Sequence, residues 1–146
     1  MQSERGLNDK VSVAPQISLD AIDGLAAEGF TTLILNRPDF ESPDQPSTAE
    51  VGERAKRAGL RFVHIPIAGG QFSQDAIDEF RRELGEASGR VLAYCLSGTR
   101  SACLWALSEA PRLGTEAVLD ATAGAGYNIE PLRPLIDAQS QITDGN

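Results

Sequence analysis

Short apolar runs alternate along the chain with stretches in which apolar residues recur at helical spacing. Val11-Ser12-Val13 predicts a first short strand. Ser18 predicts the N-cap of a helix running to about Glu28, with Ile22, Leu25 and Ala26 on one face and Gly29 ending it. Thr31 to Leu35 is β-branched and apolar throughout and predicts a buried strand. The proline-rich loop Asn36 to Pro46 comes next, and loops of this length and polarity often border sites. Ser47-Thr48-Ala49-Glu50 is a capping-box sequence opening a helix that ends at Gly59.

Arg61 to Ile67 predicts the third strand, with Pro66 near its end, and Ala68-Gly69-Gly70-Gln71 a turn. Ser73 caps a helix in which Ala76, Ile77, Phe80 and Leu84 share a face, and Gly89 closes it. Val91 to Tyr94 is the fourth strand, and Cys95 follows it directly. A helix is expected from Ser101 to about Ala110, packing through Leu104, Trp105 and Leu107. Another follows Pro111, carrying Ala117, Val118 and Ala121, and breaks at Gly124-Ala125-Gly126. A last short helix spans about Pro131 to Ala138. This alternation predicts an α/β layer protein: a central, mainly parallel sheet flanked by helices. Such sheets bind ligands at the carboxyl ends of their strands, where Cys95 falls.

A chain of 146 residues suits a single domain, with residues 1–10 and 140–146 expected as flexible tails. The net charge of -8 repels nucleic-acid backbones and anionic membranes. Arg54, Lys56 and Arg57 are interleaved with Glu50 and Glu53, as on a solvated helix face, so no nucleic-acid partner is expected. Met1 to Lys10 lacks the apolar core of a signal peptide, and the apolar runs are too short to span a membrane. The expected location is cytoplasmic. There two cysteines are more often free than bridged.

The chemistry concentrates in Cys95-Leu96-Ser97-Gly98-Thr99-Arg100-Ser101. A strand delivers the thiol, Gly98 lets backbone N–H groups turn toward a bound anion, and the following helix adds its positive end. The Arg100 guanidinium can grip two oxygens of an oxyanion. Together these make Cys95 the expected thiolate nucleophile and Arg100 its partner, with Leu96, Ser97, Gly98, Thr99 and Ser101 forming the oxyanion loop. Ser101 has two readings, a hydrogen bond to the thiolate or the cap of the next helix.

Pro15-Gln16, Asn36-Arg37-Pro38-Asp39 with Glu41, Gln45-Pro46, His64-Ile65-Pro66 and the Cys95 loop carry a resemblance spanning about Val11 to Leu132. The chain resembles a bacterial phosphatase-like family, the N-terminal domain of beta-lactamase hydrolase-like proteins, related to dual-specificity protein tyrosine phosphatases. The resemblance implies a protein tyrosine phosphatase-like fold and either phosphatase or sulfurtransferase activity. It also implies a functional link to a persulfide dioxygenase, since members occur alone or ahead of a metallo-β-lactamase-like domain. Two positions depart from the family pattern: Leu96 stands where an arginine usually follows the cysteine, and Ala14 replaces a small polar residue.

Four residues separate Cys95 from Arg100, one fewer than in tyrosine-phosphatase loops and as in the active loop of rhodanese-type sulfurtransferases. The stretch Ile65 to Gln71, where that superfamily carries its general acid, holds no carboxylate, and losing such an acid costs about 10²–10⁴ in rate. Sulfur transfer needs no acid, because the leaving thiolate or sulfite is already a stable anion. The favoured function is therefore a sulfurtransferase that moves sulfane sulfur through a Cys95 persulfide, from a small sulfur-containing anion or persulfide to a thiol acceptor. The alternative is a cysteine-dependent phosphatase hydrolysing phosphomonoesters, with Asp39 or Glu41 as the acid. A third reading is a catalytically degenerate anion-binding module.

Arg37 could line the pocket or pair within its own loop with Glu41 or Asp39, and the pocket role is preferred. His64, the only histidine, is read as a core residue rather than a base for Cys95. Cys103 is read as packed rather than as a resolving thiol, and Tyr127 and Asn128 as packing and capping residues. No metal site is expected from one histidine and two cysteines, and no cofactor motif occurs.

Overall fold

The computed structural model describes residues 3–142. Its strands are β1 (Arg5–Gly6), β2 (Val11–Ala14), β3 (Phe30–Leu35), β4 (Arg61–His64) and β5 (Arg90–Tyr94), in the spatial order β1-β2-β5-β3-β4. Only the β1–β2 pair is antiparallel. The other three pairings are parallel, with Val13 opposite Ala93 and Ile34 opposite both Ala93 and Val63. The chain therefore has the expected α/β architecture. Arg5 and Gly6, expected in a flexible tail, instead pair with Val13 and Ser12, and Leu7 beside them is buried. Asn8 Oδ1 accepts from the Lys10 and Val11 N–H groups at 3.0 and 2.8 Å, and Ser140, expected in the other tail, ends the helix Arg133–Ser140; residues 1–2 and 143–146 of the expected tails lie outside the described residues.

Side-chain alternation along the strands divides the core in two. Val13, Ile34, Val63, Val91 and Ala93 face one layer made by α3 (Gln74–Glu86), α4 (Thr99–Leu113), α5 (Thr115–Gly124) and α6 (Arg133–Ser140). There Ile77, Phe80, Trp105, Leu107, Val118 and Ile136 fill the interior. Leu33, Leu35, Leu92 and Tyr94 face the opposite layer, where α1 (Leu19–Ile22) and α2 (Thr48–Arg57) contribute Ile22, Val51 and Ala55. Because α4 packs between sheet and neighbouring helices, it is buried over most of its surface, Ser101 to Ala110.

The helix starts follow the predicted caps. Ser18 accepts from the Ala21 N–H and Ser73 from that of Ala76, both at 3.1 Å, and Ser47 and Glu50 close a full capping box. The predicted helix to Glu28 is broken, however: α1 stops at Ile22, and a separate 3₁₀ turn covers Ala26–Glu28. Gly24 in this stretch carries the highest helix cost short of proline. β4 ends at His64, yet the ladder continues past Pro66 through Ile65 N–H to the Leu35 carbonyl and Ile67 N–H to the Asn36 carbonyl, both 2.9 Å. α4 begins at Thr99 rather than Ser101, and it continues through Pro111 to Leu113.

Candidate active site

The carboxyl ends of β2, β3 and β5 meet at one edge, and three loops converge there. Cys95 leaves β5 with its N–H on the Ala14 carbonyl at 3.3 Å, and its side chain is fully buried. The chain then turns at Gly98, whose φ of +94° is the left-handed conformation that glycine adopts without penalty. That turn aims the Gly98 N–H at the Cys95 sulfur, 3.1 Å away, and makes Gly98 the N-cap of α4. The sulfur thus receives a backbone donor beside a helix N-terminus, an arrangement that stabilises negative charge. Leu96, Ser97 and Thr99 are exposed around it. Ser97 Oγ accepts from the Thr99 N–H at 3.3 Å and donates to Thr99 Oγ1 at 3.1 Å, which stiffens the turn from outside.

Arg100 is held on two sides. One amino group donates to Glu41 Oε2 at 2.8 Å and to the Ile67 carbonyl at 2.7 Å, and the other donates to Glu41 Oε1 at 2.9 Å. Glu41 also accepts from Arg37 Nε at 2.8 Å, so a single carboxylate joins two guanidinium groups. The hydrogen bonds from Arg100, with those from Arg37, overcome partial burial and bring the Glu41 carboxyl down to about 2. Glu41 in turn raises Arg100. Arg37 is buried, and its amino group donates to Gln16 Oε1 at 2.8 Å. Gln16 N–H in turn donates to the Leu96 carbonyl at 3.1 Å. Both readings of Arg37 therefore hold in part: it pairs with Glu41 inside its own loop, and through Glu41 and Gln16 it braces the Cys95 loop.

Asp39, expected as a possible pocket residue, is committed to the start of α2. Its carboxylate accepts from the Thr48 N–H at 2.7 Å and the Thr48 hydroxyl at 2.9 Å, and these bonds hold it below the usual carboxylate range. Ser101 fills neither of its expected roles. It lies inside α4, and its hydroxyl donates to Asn36 Oδ1 at 2.7 Å. The Asn36 amide donates in turn to the Ile65 carbonyl at 2.9 Å, tying the ends of β3 and β4 to α4. His64, expected in the core, is half-buried, and its Nε2 donates to the Arg37 carbonyl at 2.8 Å. Cys103 is buried among α4 neighbours, and burial pushes its thiol up to about 11.

Three residues of this edge were given no site role by the sequence. Asn36 and Gln16 are the first polar side chains after the apolar runs of β3 and β2, a position that marks the carboxyl edge. Tyr127 comes from the segment after α5, and its hydroxyl donates to the Ser97 carbonyl at 3.3 Å. A Cβ on Gly98 would lie 2.2 Å from that hydroxyl oxygen, so loop and tyrosine are fitted to each other. A groove beside the loop is lined by Arg5, Pro15, Ser97, Gly126 and Tyr127. Among the described residues, no three His, Cys, Asp or Glu side chains are grouped to hold a metal ion. No helix there is long and apolar enough to cross a membrane.

Residues 4–112 match the family model described as beta-lactamase hydrolase-like protein, phosphatase-like domain. Beta-lactamase hydrolase-like proteins of Xylella fastidiosa and Agrobacterium fabrum are each 35% identical to the chain, over 103 and 104 residues. These alignments cover 70% and 71% of this chain but 24% of each relative, so the chain spans about a quarter of the curated relatives it matches. Among solved structures, a candidate phosphatase from Neisseria meningitidis is 29% identical, with a TM-score of 0.82 over 95% of this chain and 99% of that one. PTPMT1 in complex with PI(5)P, 14% identical, shares the fold at a TM-score of 0.78 over 96% of each chain.

Proposed function

The chain belongs to the family of beta-lactamase hydrolase-like protein phosphatase-like domains, and from that premise we propose that it carries sulfane sulfur on Cys95. Cys95 as thiolate attacks the outer sulfur of the donor, the donor's S–S bond breaks, and its electron pair leaves with sulfite or a thiolate. The Cys95 persulfide, held by the Gly98 N–H and the loop, is then attacked at its outer sulfur by an acceptor thiolate, which regenerates Cys95. Arg100 balances negative charge at the loop through both stages. A persulfide dioxygenase consuming the product is a further element of this proposal.

One observation carries the preference for sulfur: all three carboxylates of the neighbouring loop, Asp39, Glu41 and Asp44, are held below the ordinary carboxylate range, so none keeps a proton at neutral pH. Glu41 is pinned ionised between Arg100 and Arg37, and Asp39 is committed to Thr48. Transfer of a phosphoryl group from a phosphomonoester to Cys95 breaks the P–O bond and needs the departing alkoxide protonated, and missing acid catalysis costs about 10²–10⁴ in rate. Phosphomonoester hydrolysis through a phosphocysteine remains the second reading, favoured by the phosphatase names of the family and of the structural neighbours.

The two are separated by intact mass of reduced protein after brief exposure to thiosulfate or glutathione persulfide, with Cys95→Ser beside it. A gain of one sulfur on wild type alone, removed by cyanide or thiol, supports the persulfide route. No adduct together with Cys95-dependent hydrolysis of an aryl phosphate would replace it with the phosphatase.

A further inference from the structure

Two large apolar side chains at the carboxyl edge are unexplained by folding. Phe40 has φ +67°, and among the described residues no other non-glycine residue has a positive φ. Left-handed backbone is costly for a bulky side chain and easy for glycine or asparagine. Packing gives no return, because Phe40 is 92% exposed. Leu96, directly after the nucleophile, is 57% exposed. Both are attached to the site machinery. Glu41, the next residue after Phe40, binds Arg100 and Arg37, and the Leu96 carbonyl is held by Gln16, whose side chain binds Arg37. A residue that breaks a local preference without a folding gain marks a functional position.

We propose that Phe40 and Leu96 form an apolar lip that binds the organic group of the substrate. This rests on the sulfur-transfer reading and specifies its substrate class: an aryl- or alkyl-bearing sulfane-sulfur donor rather than an inorganic one. Leu96 brings no charge to attract a small dianion, and the aromatic face of Phe40 gains contact only from an apolar group.

The test compares kcat/KM for benzenethiosulfonate and thiosulfate, with cyanide as acceptor. In the aryl reaction the Cys95 thiolate takes the outer sulfur, the S–S bond breaks and benzenesulfinate leaves with the electron pair. Cyanide then removes the sulfur as thiocyanate. Wild type should prefer the aryl donor, and Phe40→Asn should lower that preference about tenfold through KM, while Phe40→Leu keeps most of it. Asparagine accepts the left-handed backbone, so the Tm of Phe40→Asn should match or exceed that of wild type.

A second readout needs only a nucleophilic Cys95: the rates at which dithiodipyridine and hydroxyethyl disulfide cap it, followed by mass. If neither donor transfers sulfur while Phe40→Asn still lowers the dithiodipyridine preference, sulfur transfer is refuted and the lip stands. Preferences unchanged by Phe40→Asn overturn the lip. So does a Tm several degrees lower, which would make Phe40 a structural residue.

Discussion

Replacing Glu41 by glutamine removes the carboxylate that joins Arg37 to Arg100 and leaves their geometry otherwise available. The Arg37 side chain is 3% exposed and that of Glu41 25% exposed. Arg37 thus keeps only Gln16 and one neutral amide as partners for a buried charge. The Glu41 carboxyl falls from its ordinary 4.5 to about 2 on folding, chiefly through its bonds to Arg100. At full strength that shift corresponds to about 3 kcal/mol, and screening at a carboxylate partly open to water brings it to about 2 kcal/mol.

The pH dependence follows from the sign of the shift. A depressed folded value means that the stabilisation is fully present above the unfolded value of 4.5 and is lost as pH falls through about 2. Urea unfolding followed by Trp105, the single tryptophan and fully buried, measures the deficit of Glu41→Gln against wild type. About 2 kcal/mol is expected near pH 7, shrinking to roughly half near pH 3.5 as glutamate in the unfolded chain takes up its proton. A deficit under about 0.5 kcal/mol near neutrality would show that the bridge is no more than a surface pair. A deficit of constant size across that range would show that the loss comes from packing and not from charge.

Other substitutions probe the remaining supports of the loop. Gly98→Ala places a Cβ 2.2 Å from the Tyr127 hydroxyl oxygen on a backbone with φ +94°, and should cost more than about 2 kcal/mol in urea unfolding and abolish persulfide formation. Ser101→Ala strips the donor from the buried Asn36 Oδ1 and should cost about 1–3 kcal/mol by the same measurement. Iodoacetamide near pH 8 should leave Cys103 unlabelled in native Cys95→Ser protein, because its buried thiol is pushed up to about 11 and stays protonated. Labelling of that variant at the rate of a free thiol would contradict the packing of α4.

What could be read from the sequence was what is decided within a few residues. Ser18, Ser47 and Ser73 each cap a helix through a bond to the third residue onward, so their pattern lies in one short window. The buried strands were visible because β-branched runs have few other fates. The start of α4 was missed because Gly98 caps it with backbone geometry and no side-chain oxygen. β1 has two residues, too few for a period of two to register. Asp39 looked available for the pocket until Thr48, nine residues later, used its carboxylate. The Asn36–Ser101 bond joins residues 65 apart, and nothing local to either one announces the other.

The charges at the edge bear on what the site can accept. Arg37 and Arg100 carry two positive charges, Glu41 removes one, and an ionised Cys95 removes the other. With the nucleophile ready, this group of four side chains is neutral, inside a chain whose net charge is -8. A dianion bound there would leave the group with net negative charge, and only the Arg100 N–H groups outside its bonds to Glu41 and Ile67 would be open to it. Taking the remaining Arg100 donors as well would leave Glu41, held near 2 chiefly by those bonds, with Arg37 as its one guanidinium partner. A donor with one charge or none asks for no such exchange. It needs only the Gly98 N–H for its reacting sulfur and an apolar surface for the rest, and Leu96 and Phe40 present that surface to solvent at this edge.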